Sequence, residues 1–240
     1  MHQASLSHSG GSILTKIKTP VVIINFKTYQ QATGEKAVEL ARTCESVSIE
    51  FGVPIVIAPQ ISDLYRVSQA VDLPVFSQHM DPGEQGRFTG HVLGEALVEA
   101  GCSGTLLNHS EKRMQLADVE LAITKARKLG LYTIVCTNNP AVSVAAATMN
   151  PDSVAVEPPE LIGTGTSVSQ AQPEVISGTV QLIRNVNRDV VILCGAGIST
   201  GEDVSAAMKL GSQGVLLASA VAKSDNPAAV LKSLAGPLRK

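Results

Sequence analysis

Eight short runs of apolar, mostly β-branched residues recur along the chain, at 21–25, 54–58, 75–78, 104–108, 132–136, 153–156, 190–194 and 214–217. Each is nearly continuous in apolar residues rather than alternating. That is the pattern of strands covered on both faces, as in a parallel sheet. The stretches between them have helical signatures. In 34–51, Val38, Ala41 and Cys44 fall on one face, and in 115–129 Leu116, Val119, Ile123 and Ala126 do the same. Asn139-Pro140 and Gln172-Pro173 put proline in a first helical turn, where its missing N–H costs little. Gly130 and Gly211 follow helical stretches as C-terminal glycines do. Segments 200–210 and 227–234 read as the last two helices. Strict alternation of strand and helix leaves two architectures, an open doubly wound sheet or a closed barrel. The 240 residues suit one (β/α)8 barrel, whose usual size is about 250 residues. An open nucleotide-binding sheet would show G-x-G-x-x-G after its first strand. Here Phe26-Lys27-Thr28-Tyr29 follows, with no glycine before Gly34. The prediction is an α/β chain forming a single-domain (β/α)8 barrel over 19–240. Residues 1–18 are expected to be a flexible N-terminal extension or appended remnant. Their first dozen residues are polar, with Ser, His and Gly, and lack the apolar core of a signal peptide.

Composition narrows the partners. Net charge is −2, aromatics are 3% and Trp is absent, so neither a basic face nor a stacking platform for nucleic acid is expected. Cys44, Cys102, Cys136 and Cys194 are widely spaced, which reads as reduced core thiols rather than a disulfide framework or a metal site. No apolar run approaches the ~18 residues that span a bilayer. The expectation is a cytoplasmic protein with no membrane partner and no metal.

In such a barrel the functional groups gather where the strands end. Those ends read Asn25-Phe26-Lys27 after the first run and Asn108-His109-Ser110-Glu111 after the fourth. Val156-Glu157 closes the sixth, followed by Pro158-Pro159-Glu160-Leu161-Ile162-Gly163-Thr164-Gly165. Cys194-Gly195-Ala196-Gly197-Ile198-Ser199 follows the seventh, and Leu217-Ala218-Ser219-Ala220 the eighth. A lysine, a histidine, a glutamate and two small-residue turns therefore share one mouth. A carboxylate at Glu157, against apolar walls, is disfavoured in its charged form and becomes a better base near neutral pH. Lys27 can stabilise charge developing on a substrate oxygen. His109 can polarise a carbonyl or shuttle a proton. Backbone amides in the last two turns can hold a phosphate. The two prolines and the paired glycines of 158–165 suit a lid with stiff hinges. Glu160 is expected to face solvent or steady a hinge. His79 and His91, flanking the third loop, read as packing or interface residues, and Arg87 and Phe88 as contacts to a neighbouring subunit.

These motifs together, in order from about residue 19 to 234, resemble the triosephosphate isomerase family and specifically its shorter archaeal-type branch. The resemblance implies a TIM barrel and an intramolecular aldose-ketose isomerase of glycolysis and gluconeogenesis, working without a cofactor on a triose phosphate. It implies Glu157 as the catalytic base, His109 as a neutral electrophile and Lys27 as the cation beside an enediolate. Asn25 would shape that pocket, and Glu111 would be a buried acid supporting the lysine and its loop. Ile162 and Gly163 would be lid positions, and Gly197, Ala218 and Ser219 would form the phosphate-binding turns. A homo-oligomer is implied, a tetramer in preference to a dimer. The Ala-rich face of 139–149, with Ala141, Ala145 and Ala146, could serve such an interface or pack on the barrel. Asn108 departs from the glycine found before this histidine outside the archaeal branch. Two rival readings stand beside this one: another barrel enzyme on a phosphorylated sugar or indole precursor, and a catalytically idle barrel used as a scaffold.

Overall fold

A computed structural model describes residues 16–158, 169 and 172–239. Eight strands are present: β1 (Val21–Asn25), β2 (Ile55–Ala58), β3 (Phe76–Ser77), β4 (Gly104–Leu107), β5 (Tyr132–Thr137), β6 (Ser153–Val156), β7 (Val191–Cys194) and β8 (Gly214–Leu217). All pairings are parallel, in the order β2-β1-β8-β7-β6-β5-β4-β3. The ring is completed by a single parallel bridge between Ile57 and Val75. The expected barrel is thus present, joined more thinly between β2 and β3 than elsewhere.

Among the described residues, nine α-helices surround it: α1 (Glu35–Phe51), α2 (Leu64–Ser68), α3 (Gly94–Glu99), α4 (Leu116–Lys128), α5 (Pro140–Thr148), α6 (Pro173–Val186), α7 (Gly201–Lys209), α8 (Ser219–Ala222) and α9 (Pro227–Ala235). Their starts follow local chemistry. Asn139 caps α5 by accepting from the Val142 amide at 2.9 Å, with Pro140 in the first turn. Thr200 and Asp203 form a reciprocal capping box at α7. Gly52 ends α1 in the left-handed conformation, φ 65°. Helices α2, α3 and α8 are too short to leave a helical period in the sequence.

The strands separate two cores. Val22 and Ile24 of β1 pack outward against the helices, while Val21 and Ile23 point into the lumen with Ile134, Cys136, Ala155 and Leu216. All four cysteines are buried free thiols. In the lumen the Phe76 ring occupies the space that a side chain at Gly104 would fill, since a Cβ there would lie 2.4 Å from the ring.

Five strands differ from the sequence reading by a residue at one or both ends, and for two of them the backbone shows why. The fourth strand stops at Leu107 because Asn108 turns left-handed, φ 56°, a region asparagine tolerates better than most residues. The third is confined to Phe76–Ser77 because it pairs only with Gly104 and Thr105. The proposed lid residues Ile162 and Gly163, together with Glu160, and most of the 1–18 segment lie outside the described residues.

Candidate active site

The period of two along each strand decides what enters the mouth of the barrel. Residues 21 and 23 face the lumen, so Asn25 follows them inward; Ala155 does likewise, so Glu157 follows it. Asn25 and Glu157 are both 3% exposed, despite their polarity. The Asn25 side-chain oxygen accepts a hydrogen bond from the Lys27 amide at 2.9 Å, closing a turn in which Lys27 has φ 48°. A left-handed lysine costs roughly 1–2 kcal/mol. It is held from the other side by Gln78, whose side-chain amide donates to the carbonyls of Lys27 at 3.0 Å and Ala58 at 2.9 Å. The strained turn aims the Lys27 ammonium across the mouth to Glu111 Oε1, 2.8 Å away.

His109 is 6% exposed. The Glu111 backbone amide donates to its Nδ1 at 3.2 Å, so the neutral ring carries its proton on Nε2. Burial, assisted by the Lys27 charge, lowers the His109 pKa to about 4. Its Nε2 lies 3.7 Å from Glu157 Oε1, close but not hydrogen-bonded. Burial pushes the Glu157 pKa up to about 7, against the lowering effect of a hydrogen bond with the Cys136 thiol and of the Lys27 charge. The other Glu157 oxygen, Oε2, is buried and has no hydrogen-bond partner among the described residues. A buried, partner-free carboxylate oxygen beside a neutral imidazole donor suits proton abstraction next to a carbonyl.

A cavity of about 410 Å³ runs from these groups to the turns after β7 and β8. Asn25, Lys27, His109 and Glu157 line one end; Gly197, Ser199, Ala218, Ser219 and Ala220 line the other. Gly197 has φ 71° and Ala218 has the unusual pair φ −137°, ψ −82°. The amides of Ser199 and Thr200 are already used by Asp203 in the α7 cap. The start of α7 thus has fewer free amides facing the cavity than the turn after β7.

Lys27, His109, Glu157, Asn25, Gly197, Ala218 and Ser219 thus come together around one cavity. Glu111 touches Lys27 as expected, but its side chain is 61% exposed in the single chain rather than buried. The reason is its place on an outward turn after β4, open to solvent on one side. His79 makes a polar contact with Asp81 at 3.0 Å rather than a packing contact, and His91 meets the Phe88 ring edge-on. The sequence reading passed over Gln78, Cys136, Gly195, Tyr29 and Lys223. For Gln78 and Cys136 a positional signal existed, since both close apolar runs, as do the residues read for function after the first, fourth and sixth runs.

Comparison with known proteins agrees with this geometry. The sequence model of the family described as Triosephosphate isomerase matches residues 20–234. The chain is 54% identical over 216 residues to a protein of Methanosarcina acetivorans named triosephosphate isomerase, covering 90% of this chain and 97% of that one. A protein of the same name from Methanocaldococcus jannaschii is 53% identical over 214 residues, 89% of this chain and 98% of its own. One from Methanobrevibacter smithii is 52% identical over 222 residues, 92% and 100% respectively. With a barrel, a buried glutamate and a neutral histidine at one mouth, and a family match over nearly the whole described chain, the chain belongs to the triosephosphate isomerase family.

Proposed function

We propose that the chain interconverts dihydroxyacetone phosphate and D-glyceraldehyde 3-phosphate, in glycolysis and gluconeogenesis, with Lys27, His109 and Glu157 as its catalytic residues. The observation that carries the reading is the buried Glu157 Oε2, without a partner among the described residues, beside the Nε2–H face of a neutral His109. Glu157 takes the proton from C1 of dihydroxyacetone phosphate. The C1–H electron pair forms the enediolate double bond, and the carbonyl electrons move to O2. The His109 Nε2–H group and the Lys27 ammonium stabilise that oxygen. Return of the proton from Glu157 to C2, with proton exchange between the oxygens at His109, gives the aldehyde. Asn25 holds the Lys27 turn and Glu111 the ammonium, while Gly197, Ala218 and Ser219 hold the phosphate. Ile162 and Gly163 act as lid positions. A coupled assay from either triose phosphate tests this: wild type turns over, and Glu157→Ala loses most turnover. Unchanged turnover in that variant would refute the assigned base.

The same proposal extends to the surroundings. The barrel over 19–240 is the catalytic domain, preceded by the 1–18 extension, and the enzyme is cytoplasmic. No helix among the described residues is long and apolar enough to cross a membrane. The enzyme is a homo-oligomer, a tetramer in preference to a dimer. A second cavity of about 320 Å³ opens behind Lys27, lined by Gln60, Ile61, Gln78 and Glu111. Ile61 in its wall is exposed, as are Tyr65 and Phe88 elsewhere on the surface, and α4 exposes Leu116 and Leu121. Ala146 of α5 packs inward, while Ala141 and Ala145 are exposed. Apolar area left on several faces supports a symmetric assembly. Light scattering in dilute solution that found only monomer would overturn this part.

A further inference from the structure

We infer that Asn108 is a positioning residue that sets the geometry of His109 relative to Glu157. Its side chain makes two bonds in opposite directions. Nδ2 donates to the Cys136 carbonyl at 3.0 Å, and Oδ1 accepts from the Met114 amide at 3.0 Å. Its own carbonyl accepts from Arg113 Nη1 at 3.0 Å, so the residue is held at three points. Each end of this clamp leads to a catalytic group. The Met114 end closes the turn 108–114. That turn presents His109, and it presents the Glu111 amide that fixes the His109 tautomer and the Glu111 carboxylate that meets Lys27. The Cys136 end is the residue of β5 whose thiol hydrogen-bonds Glu157. One asparagine thus ties the turn carrying the electrophile to the strand carrying the base's neighbour.

The left-handed φ of 56° is part of the device. It ends β4 one residue early, sending the Asn108 side chain across to β5 while His109 turns into the mouth. Glycine would reach the same backbone conformation with less strain but would supply neither bond. Alanine would lose the bonds and pay the strain. Aspartate tolerates the conformation and can still accept from Met114, but sets a carboxylate oxygen against the Cys136 carbonyl.

The inference rests on the proposed isomerisation for its kinetic readout, and the experiment separates the two. Asn108→Gly, Asn108→Asp and wild type are compared by steady-state kinetics and by ¹⁵N NMR of the histidine ring nitrogens. For Asn108→Gly the expected result is a kcat lowered about tenfold to a hundredfold with KM within about threefold, the signature of a misplaced catalytic group. Its His109 resonances should lose the single Nε2–H tautomer seen in wild type. Asn108→Asp should fall at least as far. Wild-type kcat and an unchanged His109 tautomer in Asn108→Gly would overturn the inference, as would wild-type behaviour of Asn108→Asp. An inactive wild type with a single His109 tautomer that Asn108→Gly disperses would defeat the isomerase reading and leave the clamp standing.

Discussion

Replacing Gly195 with alanine is the most direct mechanical test of the site. Gly195 does not have a positive φ, so the backbone accepts alanine without strain. The obstacle is Glu157 itself. A Cβ at position 195 would lie 2.5 Å from Glu157 Cγ and 3.2 Å from its carboxyl carbon. Ordinary carbon contacts are about 3.5 Å or more, so the glutamate must retreat by about 1 Å. The Val156 carbonyl, 3.2 Å from the same point, and the packed lumen leave Gly195 little freedom to yield instead. A displacement of that size can cost a catalytic group about a hundredfold, or roughly 2.7 kcal/mol of activation free energy. Gly195→Ala should therefore lower kcat about a hundredfold in the coupled assay. KM should stay within about threefold, because the phosphate turn keeps its amides. The melting temperature, followed by circular dichroism, should change little. A kcat within about threefold of wild type in a well-folded variant would show that Glu157 does not work from the position it occupies here.

Other outcomes follow from the same groups. Burial raises the Glu157 pKa to about 7, so kcat/KM should rise as pH climbs through that value; a profile flat from pH 5 to 9 would contradict Glu157 as the base. The folded state holds that proton while the unfolded chain, with a carboxyl near its ordinary 4.5, releases it, so stability declines as pH rises from about 4.5 to 7. Glu157→Gln should consequently melt higher than wild type at pH 8 and nearly equal to it at pH 4; a lower melting point at pH 8 would reverse the sign of the argument. Lys223 lines the cavity with its ammonium 5.5 Å from the centre of the Tyr29 ring, in a chain whose net charge of −2 repels a phosphorylated substrate. Lys223→Gln should lower kcat/KM about threefold to tenfold at low ionic strength and much less at 0.5 M salt. Equal effects at both salt concentrations would make its role steric.

What could be read in advance was whatever follows from period and from strand ends. Asn25, Lys27, His109 and Glu157 were legible because each follows or closes an apolar run; which parity faces the lumen was not, because those runs are continuous rather than alternating. Groups that act through long-range contact were not. Gln78 reaches Lys27 from 51 positions away, and the Cys136 thiol meets Glu157 only because β5 and β6 run in one particular register. Neither spacing leaves a local pattern. Gly195 illustrates the same limit: the residue was visible, but its reason is the neighbour whose atoms need the space. The exposure of Glu111 was misjudged because it depends on which side of a turn meets solvent, which no local pattern in the sequence records.

The thin join between β2 and β3 gives the ring a seam. Among the described residues, the backbone contact there is the bridge at Ile57–Val75 with the Ile57 amide's 3.2 Å bond to the Pro74 carbonyl. Amide protons along this line should exchange with deuterated solvent sooner than those between β1 and β8, where four residue pairs are in register. Gln78 lies just past the end of β3 and stitches Ala58 to Lys27 across that same line. Breathing of the barrel would thus reach the lysine first, leaving the glutamate, set between β6 and its fully laddered neighbours, the steadier half of the machinery.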